Sequence, residues 1–444
     1  MAQFFKAKPK TSVMNQQKIQ VTANTLDHLG AGVAQFNGKV LFVPGLLPGE
    51  TADVKLTEDK KQYARAQLLK LQQASAHRCE PVCAYYGSCG GCDLQHLQIA
   101  EQRQYKQQVL RELFSKFSGI DELPPIEVLS DAPLAYRRKA RLATWYDKAN
   151  KRFFLSFRAK ESSKVVAITE CPVLLPALSA LIKPLAAALA QLQSVASLGH
   201  VELIAADSGV LVVLRITKAL SDKDRQRLLI LAENLDCQLV LQSAEDEYEY
   251  LRGAQPFYQF TQLNSPLTLH FNPGNFIQVN GAVNRLMLAK ALEWLDPKAD
   301  EHILDLFCGM GNFSLPLATS GARVTGVEGV QQLVQQARSN AVAAEMDNCE
   351  FFCADLNGDL IGQPWLQQVD KLLLDPSRAG AWELLSQLPL LAPRSLVYVS
   401  CNPANLARDS AKLVAQGYQL SKLALLDMFP QTHHMEAIAL FTHK

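Results

Sequence analysis

The chain has 444 residues, of which 48% are hydrophobic and 20% charged, with a net charge of +1. That length exceeds one ordinary core and implies two or three domains. The composition excludes a low-complexity or disordered chain, and the overall charge does not mark a nucleic-acid binder. The charge is nevertheless uneven. Residues 1–75 carry 10 Lys/Arg against 5 Asp/Glu, residues 137–164 carry 10 against 2, and residues 301–444 carry 9 against 14. A basic front and an acidic back suggest that the front meets a polyanion.

Met1–Lys10 lacks the apolar core of a secretory signal, and Met1–Gln17, with Lys6, Lys8 and Lys10, reads as a basic arm. From Lys18 to Leu71, short strand-like runs are broken by Gly, Asn and Pro, and Asn37-Gly38 marks a tight hairpin. About five strands in that span suit a small closed barrel of the OB type. His77–Leu97 is rich in Cys and Gly, and Ile99–Phe117 reads as a helix. Between Pro124 and Leu269, strand patterns such as KARLATWYD, RFFLSFR, VELIAAD and GVLVVLRI mix with a helical stretch, which predicts an α+β domain. The apolar run Val173–Leu192 is broken by Pro176, Lys183 and Pro184, so buried helix is expected there and not a membrane span. After Phe271 the rhythm alternates: HILDLF, RVTGVE, CEFFCAD, KLLLDP and SLVYVS are short buried runs separated by helical sequence, the pattern of a doubly wound parallel sheet.

Asp305–Ala318 follows a buried strand and opens a helix, with Gly309 and Gly311 able to make a tight turn against a ligand. Glu328 ends the next strand, 19 residues after Gly309, where a carboxylate can bind ribose hydroxyls. Ser314 stands where a dinucleotide site usually has its third glycine. Asp305, Asp355 and Asp375 at further strand ends fit S-adenosylmethionine better than NAD, with Phe307 available to the adenine and Asn312 to a loop hydrogen bond. Cys401 follows an apolar strand in a polar turn, next after the strand that carries Asp375. A thiolate there suits addition to C6 of uracil, which turns C5 into a nucleophile for a methyl group. Removal of the C5 proton needs a base, and Glu436, with His433 and His434 nearby, stands at the entry of a last apolar strand, expected at the sheet edge.

Four cysteines, Cys79, Cys83, Cys89 and Cys92, cluster in CEPVCAYYGSCGGC. In a reducing cytosol such a cluster reads as a metal site, and its spacing admits zinc or iron–sulfur. Residues 136–158 interleave Arg137, Arg138, Lys139, Arg141 and Arg158 with Tyr136, Trp145, Phe153 and Phe154. The cations suit phosphates, while most of the aromatics are expected to face a sheet core.

FIQVN, DLFCGMGNFSLPLA, GVEGV, LLLDPSRAG, YVSCNPANLARD and LDMFPQTHHMEAIALF together resemble the RNA uracil-C5 methyltransferase family. The resemblance covers the C-terminal half in order. It implies that Gln278, Phe307, Asn312, Glu328, Asp355 and Asp375 contact S-adenosylmethionine, that Cys401 is the nucleophile and that Glu436 is the base. Some relatives carry Asn at the place of Asp355. The resemblance also implies a [4Fe–4S] cluster on Cys83, Cys89, Cys92 and the remote Cys171, leaving Cys79 aside; a local site that uses Cys79 is the competing reading. The N-terminal barrel resembles a TRAM domain. A chain with both barrel and cysteine cluster is similar to the branch that acts on 23S ribosomal RNA, which implies uracil 1939, flipped from its stack, as the target.

The expected architecture is therefore α/β and β multidomain: a TRAM barrel (12–71), a central α+β domain with an iron–sulfur cluster (75–270) and a class I, Rossmann-like methyltransferase domain (271–444). A cytoplasmic monomer is expected. Two other readings stand beside it. An N6 or guanine methyltransferase needs no thiolate, whereas here Asp375-Pro376-Ser377-Arg378 is followed by Cys401. An RNA-binding iron–sulfur sensor needs no intact donor loop, nucleophile and base.

Overall fold

A computed structural model describes residues 18–147, 149–150, 152–261 and 266–443, so the expected basic arm lies outside the described residues, as do Lys148 and Lys151. The chain forms two compact units. The first comprises the described residues to Pro81, Asp93–Tyr105 and Gln431–His433. The second comprises Val82–Cys92, Lys106–Pro430 and the chain from His434 onward.

The first unit holds six strands: β1 (Lys18–Thr22), β2 (Thr25–Leu26), β3 (Ala31–Phe36), β4 (Lys39–Pro44), β5 (Thr51–Asp59) and β6 (Tyr63–Gln73). They form one sheet in the order β1-β5-β6-β4-β3-β2. Period-two alternation along β4, β5 and β6 sends Leu41, Val43, Ala52, Val54, Ala64 and Ala66 into a shared core. Asn37 (φ 49°) and Gly38 (φ 73°) make the expected hairpin turn, where both backbones must be left-handed. The buried carboxylate of Glu50 is satisfied by the Leu47 and Ser75 amides and by Arg78. Helix α1 (Ile99–Phe117) has the expected bounds.

In the second unit, β7 (Ile126–Leu129) precedes β8 (Lys139–Asp147), β9 (Arg152–Arg158), β10 (Val165–Ala167), α2 (Pro176–Leu189), β11 (Leu198–Ala206), β12 (Gly209–Ile216), α3 (Asp222–Asn234), β13 (Gln238–Ala244) and β14 (Glu247–Arg252). Strands β8 to β14 form a sheet in the order β10-β9-β8-β11-β12-β13-β14. It is antiparallel except for β12 with β13, which α3 links by a crossover. Helix α2 accounts for the apolar run and buries Leu178, Leu181, Ile182 and Leu185 with Pro184 inside it. Among the described residues, no helix is long and apolar enough to cross a membrane. A hairpin of β15 (Phe257–Phe260) and β16 (Leu267–His270) follows.

The alternating segment then gives α4 (Gly281–Leu295), β17 (His302–Leu306), α5 (Ser314–Ala318), β18 (Arg323–Glu328), α6 (Gln331–Ala343), β19 (Cys349–Cys353), β20 (Lys371–Leu374), α7 (Trp382–Ser386), β21 (Ser395–Ser400), α8 (Pro403–Ala415), β22 (Tyr418–Leu426) and β23 (Glu436–His443). The sheet order is β19-β18-β17-β20-β21-β23-β22-β7. Every residue of β17 and β20 is buried, which is why Ile303-Leu304 and Leu372–Leu374 are consecutive apolar residues and not alternating ones. Two features depart from the sequence reading. Strand β7, from before the expected boundary at 270/271, pairs in parallel with β22 and extends this sheet. Strand β23 is not an edge: it runs antiparallel between β21 and β22.

One buried ion pair anchors the approach to β23. The Lys106 ammonium lies 2.8 Å from Asp427 and donates to the Phe429 carbonyl at 3.0 Å, and both charged side chains are essentially inaccessible. Removing one partner strands the other charge. Lys106→Ala is therefore expected to lower stability by about 3–5 kcal/mol, and Lys106→Met combined with Asp427→Leu should recover most of that loss. Urea denaturation of the three proteins checks both outcomes.

Candidate active site

The carboxyl ends of the parallel strands converge around the point where β18 and β20 leave β17 in opposite directions, the place where doubly wound sheets bind ligands. The loop after β17 is tightly wound: Phe307 (φ 65°), Gly309 (φ 57°) and Gly311 (φ 96°) are all left-handed. Glycine adopts this freely, but Phe307 does so at a cost, and such strain concentrates at functional sites. Glu328 Oε2 accepts from the Gly309 amide at 3.1 Å and Oε1 from the Val330 amide at 3.0 Å, so the carboxylate braces the loop from the next strand. Asp355 stands exposed two residues beyond β19 and accepts from the Asn357 amide at 2.9 Å.

Asn312 is held by two residues the sequence reading did not single out. Its Oδ1 accepts from the Tyr258 hydroxyl at 3.1 Å, and its amide exchanges hydrogen bonds of 3.3 Å with Asn284. Asn284 is a buried polar residue on the apolar face of α4, and that mismatch is the signal that could have found it. Gln278 is buried, and its carbonyl accepts from Arg138 Nε at 2.7 Å. The Arg138 guanidinium lies 4.8 Å from the Tyr258 ring centroid.

The acids at the strand ends share a low-dielectric setting. Asp305 Oδ2 accepts from Ser314, while Oδ1 is buried without a partner. Burial pushes Asp305 up to about 8, against the Ser314 hydrogen bond and with repulsion from Asp375 and Glu328. Burial likewise raises Asp375 to about 7. Glu436 is raised to about 8 by burial and by the Asp375 charge, with Arg378 opposing, and its Oε2 has no partner.

Cys401 and Glu436 are brought together by strand register. Ser400 is the cross-strand partner of Ala437, so the next residue on each chain, Cys401 and Glu436, meet at the rim. Cys401 is exposed and open to a substrate. Partial burial of its thiol, then Glu436 and Asp375, raise its pKa, and Arg378 lowers it. Arg378 is thus a fourth member of the group. The Arg378 carbonyl accepts from Asn402 at 3.2 Å and Asn405 at 2.6 Å. The fully buried Asp409 takes the Tyr398 hydroxyl at 2.7 Å and the Ala381 amide at 2.8 Å, which fixes the far end of the same loop. The two histidines point to other work: His433 is bonded to Asp93 through both its amide and its ring, and the His434 ring packs edge-on against Phe429.

Cys83, Cys89, Cys92 and Cys171 are half-buried and belong to the second unit. Burial raises Cys89, with Cys83 adding to the shift. Burial also raises Cys171, with Cys83 and Cys89 both contributing, and Cys92 and Cys171 both act on the Tyr136 hydroxyl. Cys83, Cys89 and Cys171 thus act on one another, and Cys92 shares Tyr136 with Cys171. Among the described residues, no three His, Cys, Asp or Glu side chains are close enough to hold a single metal ion. Four thiolates are a donor set that zinc and iron–sulfur clusters both accept. Cys79 belongs to the first unit, where its thiol donates to the Gln95 carbonyl. In the basic stretch, Tyr136 and Phe153 are buried as expected, whereas Trp145 is exposed.

The family described as tRNA (Uracil-5-)-methyltransferase matches residues 98–356 and 366–444, and the TRAM domain matches residues 12–69. A Shewanella halifaxensis protein named 23S rRNA (uracil(1939)-C(5))-methyltransferase RlmD is 55% identical over 446 residues, covering 100% of both chains. A protein of the same name from Shewanella piezotolerans is 54% identical over 443 residues, covering 99% of each. Among solved structures, a Pyrococcus abyssi tRNA (uracil-54, C5)-methyltransferase in complex with S-adenosyl-L-homocysteine superposes with a TM-score of 0.73 at 24% identity, covering 95% of this chain and 99% of that one. At that identity the likeness speaks for the fold.

The buried acids give a pH signature. Between the ordinary carboxyl pKa of 4.5 and about 8, folded Glu436 retains a proton that the unfolded chain has released. The folded state binds more protons in that window, so stability falls as pH rises through it. Glu436→Gln is expected to be the more stable protein at pH 8 by about 1 kcal/mol or more, and to match the unaltered chain near pH 5. Thermal unfolding between pH 5 and 9 reads the difference.

Proposed function

The chain belongs to the tRNA (uracil-5-)-methyltransferase family, and we propose that it transfers a methyl group from S-adenosylmethionine to C5 of uracil 1939 in 23S ribosomal RNA. Full-length similarity to the two Shewanella enzymes supports the substrate, and a ribosomal RNA substrate implies a cytoplasmic site of action. The observation that carries the chemistry is the register that sets Cys401 opposite Glu436, beside Asp375.

In this reading the methyl donor lies across the carboxyl ends of β17 and β18. Glu328 and Asp355 hold the ribose side, Phe307 and Asn312 line the loop, and Gln278 and Asp375 face the reacting end. The flipped uracil enters over Cys401. The Arg378 guanidinium favours the Cys401 thiolate, which adds to C6 and places electron density on C5. C5 then takes the methyl group from sulfur. Glu436 in its ionised form removes the C5 proton, and the burial that raises its proton affinity makes that form a stronger base than an exposed carboxylate. The C6–sulfur bond breaks and the thiolate is regenerated. Asn402, Asn405 and Asp409 keep the Arg378 loop in place throughout.

Cys401→Ala should abolish methyl transfer and retain RNA binding, so turnover by that variant would sink the covalent mechanism. Glu436→Gln should trap the Cys401–uracil adduct as a complex that survives denaturing electrophoresis; absence of the adduct would point to another base.

Cys83, Cys89, Cys92 and Cys171 would hold a [4Fe–4S] cluster, which would tie the 83–92 loop to the segment before α2. Methyl transfer requires no electron, so the cluster's contribution is structural or positions RNA. Protein purified without oxygen is expected to contain about four iron and four sulfide. Cys171→Ala should lose both and Cys79→Ala should keep them, as measured by metal analysis and the visible absorption band; stoichiometric zinc would overturn the assignment.

A further inference from the structure

One surface of the second unit is not used by the chemistry above. On β8 and β9, Leu142, Phe153 and Leu155 face the core with α2. The alternate residues face the other way, and there Trp145 and Phe154 are direct cross-strand partners. Their rings are stacked, with centroids 5.1 Å apart and planes 21° from parallel. The Arg152 guanidinium lies 4.9 Å from the Phe154 centroid. Trp145 retains 48% of its surface in solvent. Arg141 and Arg158 on the same two strands are also exposed. A lone exposed aromatic needs no explanation. An ordered pair with a cation at one end and a bare indole at the other, in a stretch with 10 Lys/Arg against 2 Asp/Glu, is a different case.

We propose that Trp145, backed by Phe154 and Arg152, is a stacking platform for an unpaired base of the RNA substrate, away from the methylated uracil. The inference rests on the functional reading above, which supplies RNA as the ligand. Strand geometry separates the two places. Arg138, just before β8, touches Gln278, and Trp145 is seven residues further along, or roughly 20 Å at the rise of an extended chain. The platform therefore serves a flanking nucleotide. The chemistry selects an unpaired base, because a duplex hides its base faces and offers an indole nothing to stack on. Surrounding cations meet the phosphates, and the indole adds a contact that carries no counterion release.

The test uses the full chain and a deproteinised 23S ribosomal RNA fragment spanning the target. Affinity is measured at several salt concentrations for the unaltered protein, Trp145→Ala, Trp145→Phe and Arg152→Gln. Trp145→Ala is expected to weaken binding by roughly fivefold or more without changing the salt slope. Trp145→Phe should keep most of the affinity, and Arg152→Gln should flatten the slope. Binding of S-adenosylhomocysteine and the circular dichroism spectrum report the fold of each variant. If the unaltered chain neither binds nor methylates the fragment, the functional reading falls and takes this one with it. If it does both and a folded Trp145→Ala protein binds within twofold of it, the platform alone is overturned. A loss of equal size on a fully duplexed competitor would overturn it as well.

Discussion

A carboxylate taken out of water must find a cation, find hydrogen bonds or hold its proton. The catalytic sheet places three acids, Asp305, Asp375 and Glu436, in that position at its carboxyl rim, and Arg378 is the cation that acts on Glu436. Much of the surrounding structure serves that arrangement. Ser314 caps one oxygen of Asp305, Asp409 and two asparagines hold the loop that carries Arg378, and the Lys106–Asp427 pair pins the turn that delivers Glu436. The strands that lead to Asp305 and Asp375 are buried along their whole length, which supplies the low dielectric that raises the acids. Stability spent on these groups in the resting protein gives proton affinities that solvent-exposed carboxyls do not have.

Much of this was legible in the sequence because it is local. Apolar runs ending in Asp305, Glu328 and Asp375 announce buried parallel strands, and Gly309 and Gly311 announce a turn that only such residues make easily. What escaped was set by partners distant in sequence. Nothing in AIALF says that its strand will run antiparallel between two others, and that choice is what puts Glu436 opposite Cys401. The left-handed backbone of Phe307 has no sequence signature either, since propensity alone disfavours it. Asn284 and Trp145 are intermediate cases. One is a polar residue on an apolar helical face and the other falls on the outward parity of an amphipathic strand, so periodicity held both signals.

The cysteines divide along similar lines. Spacing in sequence groups Cys79 with its three neighbours, whereas the structure sets its thiol against the Gln95 carbonyl of the first unit, and Cys83 and Cys89 act on the remote Cys171.

The pairing of β7 with β22 bears on how the chain is made. Strand β7 leaves the ribosome roughly 300 residues before its partner; at synthesis rates of about 5–20 residues per second, that is a wait of about 15–60 s. Lys106 waits as long for Asp427. Over that interval the nascent protein carries a strand edge that its partner has yet to cover. The last two strands of the methyltransferase sheet consequently close on a piece laid down before the β8–β14 sheet was made.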